Sequence, residues 1–159
     1  CILDRPRHKN LINTVRKTGD RIKLISDGDV SAVIATTVEE SGVDFYIGAG
    51  GSPEGVLAAT ALRCLGGTIY GKLLFTDDTS KHRASEMGVT DFNKIYTTNE
   101  LASGEVMFAA TGVTDGTLLK GVRIKNNIAT THSVVMRSKT KTIRYVEASH
   151  DLSIKPIID

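Results

Sequence analysis

Three times within its first 65 residues the chain passes from an apolar, strand-like run through a short polar loop into a helical pattern. Residues 1–4 lead through Arg5-Pro6-Arg7-His8 into a helix over 9–18, where Leu11, Ile12 and Val15 share one face at helical spacing. Residues 21–26 alternate as a strand does and lead through Asp27-Gly28-Asp29 into a helix over 30–39. Residues 43–47 enter Gly48-Ala49-Gly50-Gly51-Ser52, and a helix over 53–65 follows, with Pro53 in its first turn and Gly66-Gly67 at its end. Successive β-loop-α units imply a parallel sheet with helices packed on it. In such sheets the loops gather at the C-terminal edge of the strands, where ligands bind.

The remaining pattern predicts strands over 68–75, 94–96 and 106–110, and helices over 80–87 and 99–101. Two β-rich runs, 133–137 and 142–147, flank Ser138-Lys139-Thr140-Lys141 as a terminal hairpin does. That hairpin would make the whole sheet mixed, with a loose tail after Ser149. Without an internal repeat or low-complexity linker, the reading is one α/β domain over residues 1–159.

Composition narrows the function classes. At 159 residues, with 40% apolar and 24% charged side chains, the chain suits a globular domain rather than a disordered one. A net charge of +2 with scattered basic residues gives no electrostatic case for nucleic acid. No apolar run approaches the roughly 20 residues that span a bilayer. Cys1 and Cys64 have neither disulfide-framework nor metal-knuckle spacing, which suits a cytoplasmic protein with Cys64 buried in the apolar run 58–65. Cys1-Ile2-Leu3 reads as a strand already under way, so a segment upstream is expected.

The three loops are the candidate chemistry. In Arg5-Pro6-Arg7-His8, guanidinium groups match phosphate oxygens through paired hydrogen bonds, and Pro6 stiffens the turn; a solvated basic turn is the alternative. Asp27 and Asp29 around Gly28 suit sugar hydroxyls or a cation, or else cap the next helix, with Asp29 as its N-cap. The glycines of 48–51 let backbone N–H groups approach an anion, and Glu54 in the following turn faces the loop mouth or simply favours the helix dipole. A dinucleotide fingerprint fails, because its third glycine falls on Pro53. Ala110-Thr111-Gly112-Val113-Thr114-Asp115-Gly116 reads as a tight turn or a ligand loop. His8, His82, His132 and His150 form no metal pair; His8 alone lies near a candidate loop, where it suits orienting a neighbour. No nucleophile elbow is present.

Taken together these runs resemble the class II (bacterial-type) fructose-1,6-bisphosphatases. The resemblance rests on Asp4-Arg5-Pro6-Arg7-His8, Ser26-Asp27-Gly28-Asp29-Val30, Gly50-Gly51-Ser52-Pro53-Glu54-Gly55-Val56 and Phe108-Ala109-Ala110-Thr111-Gly112-Val113-Thr114. Ile128-Ala129-Thr130-Thr131 and Ser133-Val134-Val135-Met136-Arg137 add to it. It covers nearly the whole chain but only the second half of a family member. It implies a fold similar to the C-terminal domain of the lithium-sensitive sugar and inositol phosphatases. It also implies metal-dependent hydrolysis of the 1-phosphate of fructose 1,6-bisphosphate with Mn2+ or Mg2+, in a homo-oligomer. By resemblance, Arg5, Pro6 and Arg7 form a substrate loop, with Arg7 on the phosphate that is not cleaved. Asp27, Gly28 and Asp29 bind the sugar, Gly51 contacts substrate, and Glu54 is a metal ligand. Arg5 stands where some members have Lys, and Ser52 where many have Ala. The family's N-terminal half supplies the acidic cluster for most of the metal site, so this chain alone is expected to be inactive. A dual fructose-1,6-/sedoheptulose-1,7-bisphosphatase and a non-catalytic sugar-phosphate-binding module are the alternatives.

Overall fold

A computed structural model describes residues 1–154. The chain opens as a β-α-β unit. Strand β1 (Ile2–Leu3) passes through a 3-10 turn, Pro6–His8, into α1 (Lys9–Lys17) and returns as β2 (Leu24–Ile25), parallel to β1. The Ile2 N–H bonds the Lys23 carbonyl, and the Asp4 N–H bonds that of Ile25. Arg5 is extended, as a residue before proline prefers, and Pro6 opens the turn, where its missing N–H does no harm.

Helix α2 (Asp29–Ala35) starts one residue earlier than expected and ends four residues before residue 39, with a separate 3-10 turn at Glu39–Ser41. Its N-cap is Gly28, at φ 81, a left-handed conformation that a side chain would disfavour. The expected strand over 43–47 is not a regular strand. The run borders the start of β1 through two bonds only, Ile47 N–H to the Cys1 carbonyl and the Cys1 amino group to the Phe45 carbonyl. Helix α3 (Ser52–Leu65) ends on Gly66, at φ 97, whose N–H caps the Leu62 carbonyl.

Among the described residues the expected single mixed sheet is replaced by three sheets. Besides β1-β2, the strands β3 (Tyr70–Lys72) and β4 (Ile95–Thr97) pair antiparallel, with α4 (Asp78–Glu86) between them in sequence and α5 (Thr98–Leu101) after β4. The third sheet is antiparallel throughout. In it, β5 (Met107–Thr111) and β6 (Arg123–Lys125) both pair with β7 (Ile128–Arg137), and β8 (Thr142–Asp151) pairs along the whole of β7. The predicted hairpin is therefore present but ten residues per strand, and it includes His150 and Asp151, which were expected to be loose. Residues 152–154 form a turn, and 155–159 of that expected tail lie outside the described residues. Each strand of the hairpin finds its partner locally, so the hairpin folds onto β5 instead of extending the parallel pair.

Helix α3 explains the division into layers. One side packs on α2, where Val33, Ala58 and Leu62 form a small core with Tyr46 and Ile69 against it. Its other side meets the antiparallel sheet, where Ala61 and Cys64 join Ile34, Phe108, Leu119, Val134 and Met136. Full burial of the valine, leucine, isoleucine, phenylalanine and methionine side chains among these contributes about 1.5–3 kcal/mol each. Alanines at 58, 59 and 61 let both layers approach the helix closely. The first turn of α3 is thereby fixed beside α2, and the loop before it beside the 3-10 turn.

Candidate active site

The site is assembled around one residue with almost no side chain. The Ala49 N–H donates to Nε2 of His8 at 2.8 Å, and Nε of Arg7 donates to the Ala49 carbonyl at 2.8 Å. His8 is buried, at 2% exposure, and its Nδ1 lies 2.7 Å from the Leu3 carbonyl. Both bonds are satisfied by a ring that donates from Nδ1 and accepts at Nε2, the neutral Nδ1–H form. The 3-10 turn makes this possible, because it buries His8 while leaving Arg7 exposed. Two adjacent side chains thus hold the peptide groups on both sides of Ala49, and the basic turn and the glycine loop become one unit.

Carboxylates flank that unit. Asp29 is the first residue of α2 rather than its N-cap. Its Oδ1 accepts the Val30 N–H at 2.9 Å, and its Oδ2 faces Gly50, where an added Cβ would stand 3.2 Å away. Glu54 lies in the first turn of α3, and its carboxylate folds over Gly51 so closely that a Cβ there would collide with Oε2. Asp29 and Glu54 therefore border consecutive glycines of the loop. Tyr46 completes the rim. An added Cβ on Gly48 would meet its hydroxyl at 3.1 Å and Cε1 of His8 at 3.4 Å. Burial, and then the Asp29 carboxylate, push the Tyr46 phenol above its ordinary range, against the opposing effect of Arg7.

Not every predicted residue joins the group through a contact. Among the described residues the Arg5 side chain donates to the carbonyl of Asp4 alone, at 3.3 Å. Pro6 acts through the backbone of its turn. The Asp27 carboxylate accepts the neighbouring Gly28 N–H at 2.7 Å, which shapes its own turn, and remains exposed. Among the described residues no three His, Cys, Asp or Glu side chains are grouped to hold a metal ion. Glu54 alone is not a metal site.

The other sequence candidates are accounted for structurally. The 110–116 segment is closed on its own surroundings: Asp115 accepts the Gly121 N–H and pairs with Arg123, and the Gly112 N–H donates to the His132 carbonyl. His132 accepts the Lys120 N–H and stacks on Tyr145, and His82 faces Glu86 one helical turn away. Cys64 is 1% exposed, and burial pushes its thiol up, which makes it a core residue rather than a nucleophile. Tyr46 is the residue that sequence reasoning missed. It sits within an ordinary apolar run, and nothing in its spacing signals that its hydroxyl reaches the loop.

A glycine floor, an arginine with its two terminal nitrogens unbonded among the described residues, and two carboxylates suit a ligand with both phosphate and hydroxyl groups. The family described as "Bacterial fructose-1,6-bisphosphatase, glpX-encoded" matches residues 1–150. A "D-fructose 1,6-bisphosphatase class 2/sedoheptulose 1,7-bisphosphatase" of Crocosphaera subtropica is 44% identical over 162 aligned residues, covering 94% of this chain and 47% of that protein. The protein of the same description from Synechococcus elongatus matches at the same identity and coverage. The chain spans about half the length of these curated relatives. It belongs to the bacterial, class II fructose-1,6-bisphosphatase family.

Proposed function

We propose that the chain is the substrate-binding half of a fructose-1,6-bisphosphatase, as one α/β domain of the fold shared with the lithium-sensitive sugar and inositol phosphatases. The whole protein would use water to cleave the 1-phosphate ester of fructose 1,6-bisphosphate, releasing phosphate and fructose 6-phosphate, a cytoplasmic step of gluconeogenesis. The observation that carries this reading is the clasp on Ala49, which joins a phosphate-type arginine turn to the glycine loop bordered by Asp29 and Glu54. With Nε spent on Ala49, Arg7 would present its terminal nitrogens to the phosphate that is not cleaved. Arg5 adds charge to the same turn. Asp27 and Asp29 on either side of Gly28 would accept sugar hydroxyls, and Gly51 would let the ligand approach the backbone.

Glu54 is this chain's proposed oxygen ligand for Mn2+ or Mg2+, cations that favour carboxylates. The remaining ligands would come from the length of the relatives that this chain does not span, and a homo-oligomer is proposed for the assembled protein. The description of the relatives favours one second reading, action on sedoheptulose 1,7-bisphosphate as well.

The test is phosphate release from both bisphosphates with Mn2+, using this chain and the protein expressed from its complete coding sequence. Turnover by the latter is expected, with little or none from residues 1–159 alone. A folded complete protein that binds fructose 6-phosphate without hydrolysing either bisphosphate would leave a binding module in place of the enzyme.

A further inference from the structure

Tyr46 has a position that packing alone does not require. Its ring rests against the Val33, Ala58 and Leu62 cluster, between α2 and α3. Its hydroxyl, however, projects out of that cluster to Gly48, beside the buried His8 ring. No group among the described residues hydrogen-bonds this hydroxyl, whereas both ring nitrogens of His8, the Ala49 N–H and carbonyl, Nε of Arg7 and Oδ1 of Asp29 nearby are bonded. A phenylalanine would fill the same apolar seat. The hydroxyl lies in the field of two opposite charges, Asp29 and Arg7, which are the groups proposed above for the sugar and the phosphate. The peptide beneath it is immobilised by the Ala49 clasp.

We propose that Tyr46 is a further ligand-binding residue of this site, its hydroxyl donating a hydrogen bond to an oxygen of the sugar phosphate's uncleaved phosphate, between Arg7 and Asp29. Burial and the Asp29 carboxylate keep the phenol protonated well into the alkaline range, so it acts as a donor. The ring, packed half-buried against the Val33, Ala58 and Leu62 cluster, restrains the hydroxyl before the ligand arrives, which limits the ordering cost of binding. The identity of the ligand rests on the proposed function above.

The experiment uses Tyr46→Phe in the protein expressed from its complete coding sequence, with fructose 6-phosphate binding measured by calorimetry and fructose 1,6-bisphosphate hydrolysis measured in parallel. Loss of one hydrogen bond to a charged oxygen is expected to weaken binding about tenfold and to raise KM similarly, with kcat changed less than about twofold. Thermal melting is expected to stay unchanged, because the ring is retained. Wild-type affinity and KM in the variant would overturn the assignment, as would wild-type protein that binds no fructose 6-phosphate. If the wild type binds but does not hydrolyse, the bisphosphatase reading fails while the affinity of the variant still decides the role of Tyr46.

Discussion

His8 Nε2 receives the Ala49 N–H at 2.8 Å across 41 residues of sequence. Because Nδ1 of the same ring faces the Leu3 carbonyl, the imidazole is a strut between the end of β1 and the glycine loop. Its ring nitrogens are both engaged with the backbone, so it positions the loop and does not face the ligand.

Replacing His8 with Phe keeps an aromatic ring but leaves the Leu3 carbonyl and the Ala49 N–H without a partner. Each unsatisfied buried group costs about 1–3 kcal/mol, so the pair is expected to lower stability by about 2–6 kcal/mol. Urea unfolding measures this. A separate readout marks the positioning role: fructose 6-phosphate affinity should fall at temperatures where the variant remains fully folded. Unaltered affinity in folded His8→Phe would mean the loop keeps its shape without the strut.

Gly51→Ala tests the close approach of Glu54. The backbone at Gly51 has φ −69 and ψ 148, which alanine adopts freely, so the substitution meets no backbone strain. The new methyl would instead occupy the space of the Glu54 carboxylate and drive it off the loop. The expected result is a melting temperature close to wild type with a marked fall in bisphosphatase turnover. A fully active Gly51→Ala enzyme would show that Glu54 works equally well from another rotamer.

Much of this arrangement was legible in the sequence, but unevenly. The β-loop-α repetition announced where Arg7, Asp29 and Glu54 would gather, since glycine, proline and apolar periodicity are local signals. Strand pairing is not local. Residues 43–47 have a strand-like pattern yet form only two bonds at the Cys1 end of the short β1, and β6 at Arg123–Lys125, polar and exposed, gave no pattern at all. The hairpin was readable, but its membership of a separate sheet depends on Phe108, Val134 and Met136 closing over α3, a relation among distant residues. Ala49 illustrates the limit most plainly. Its contribution is a peptide N–H and a carbonyl, which its residue type does not advertise.

Glu54→Gln separates charge from shape at the loop mouth. The amide fills the same volume over Gly51 but is a poor ligand for a hard cation. Turnover in the complete protein is expected to fall by at least the ~10–100-fold that follows loss of even an outer-shell partner of a metal. Fructose 6-phosphate affinity should change far less. Initial rates across a Mn2+ titration measure the effect, and equal turnover in the variant would remove Glu54 from the metal site.

Acid stability provides a test away from the ligand site. The hydrogen bond from Lys94, followed by those from the Thr97 N–H and hydroxyl, lowers the Glu100 carboxyl from its ordinary 4.5 to about 2. The contacts are close, with Lys94 Nζ 2.8 Å from Oε1 and the Thr97 N–H 2.9 Å from Oε2. A carboxyl depressed by folding contributes stability that is fully present above its unfolded value and is lost as pH falls through its folded value. The Glu100 contribution should therefore fade between pH 4.5 and about 2. Asp77, Asp115 and Asp151 are lowered as well and add to acid sensitivity in the wild type. Glu100→Gln isolates one contribution from theirs. The variant should melt below wild type at pH 7, and the gap should narrow as pH falls through that window. A gap that stays constant down to pH 2 would mean that the Glu100 charge adds nothing to the cap of α5 beyond the hydrogen bonds an amide can make.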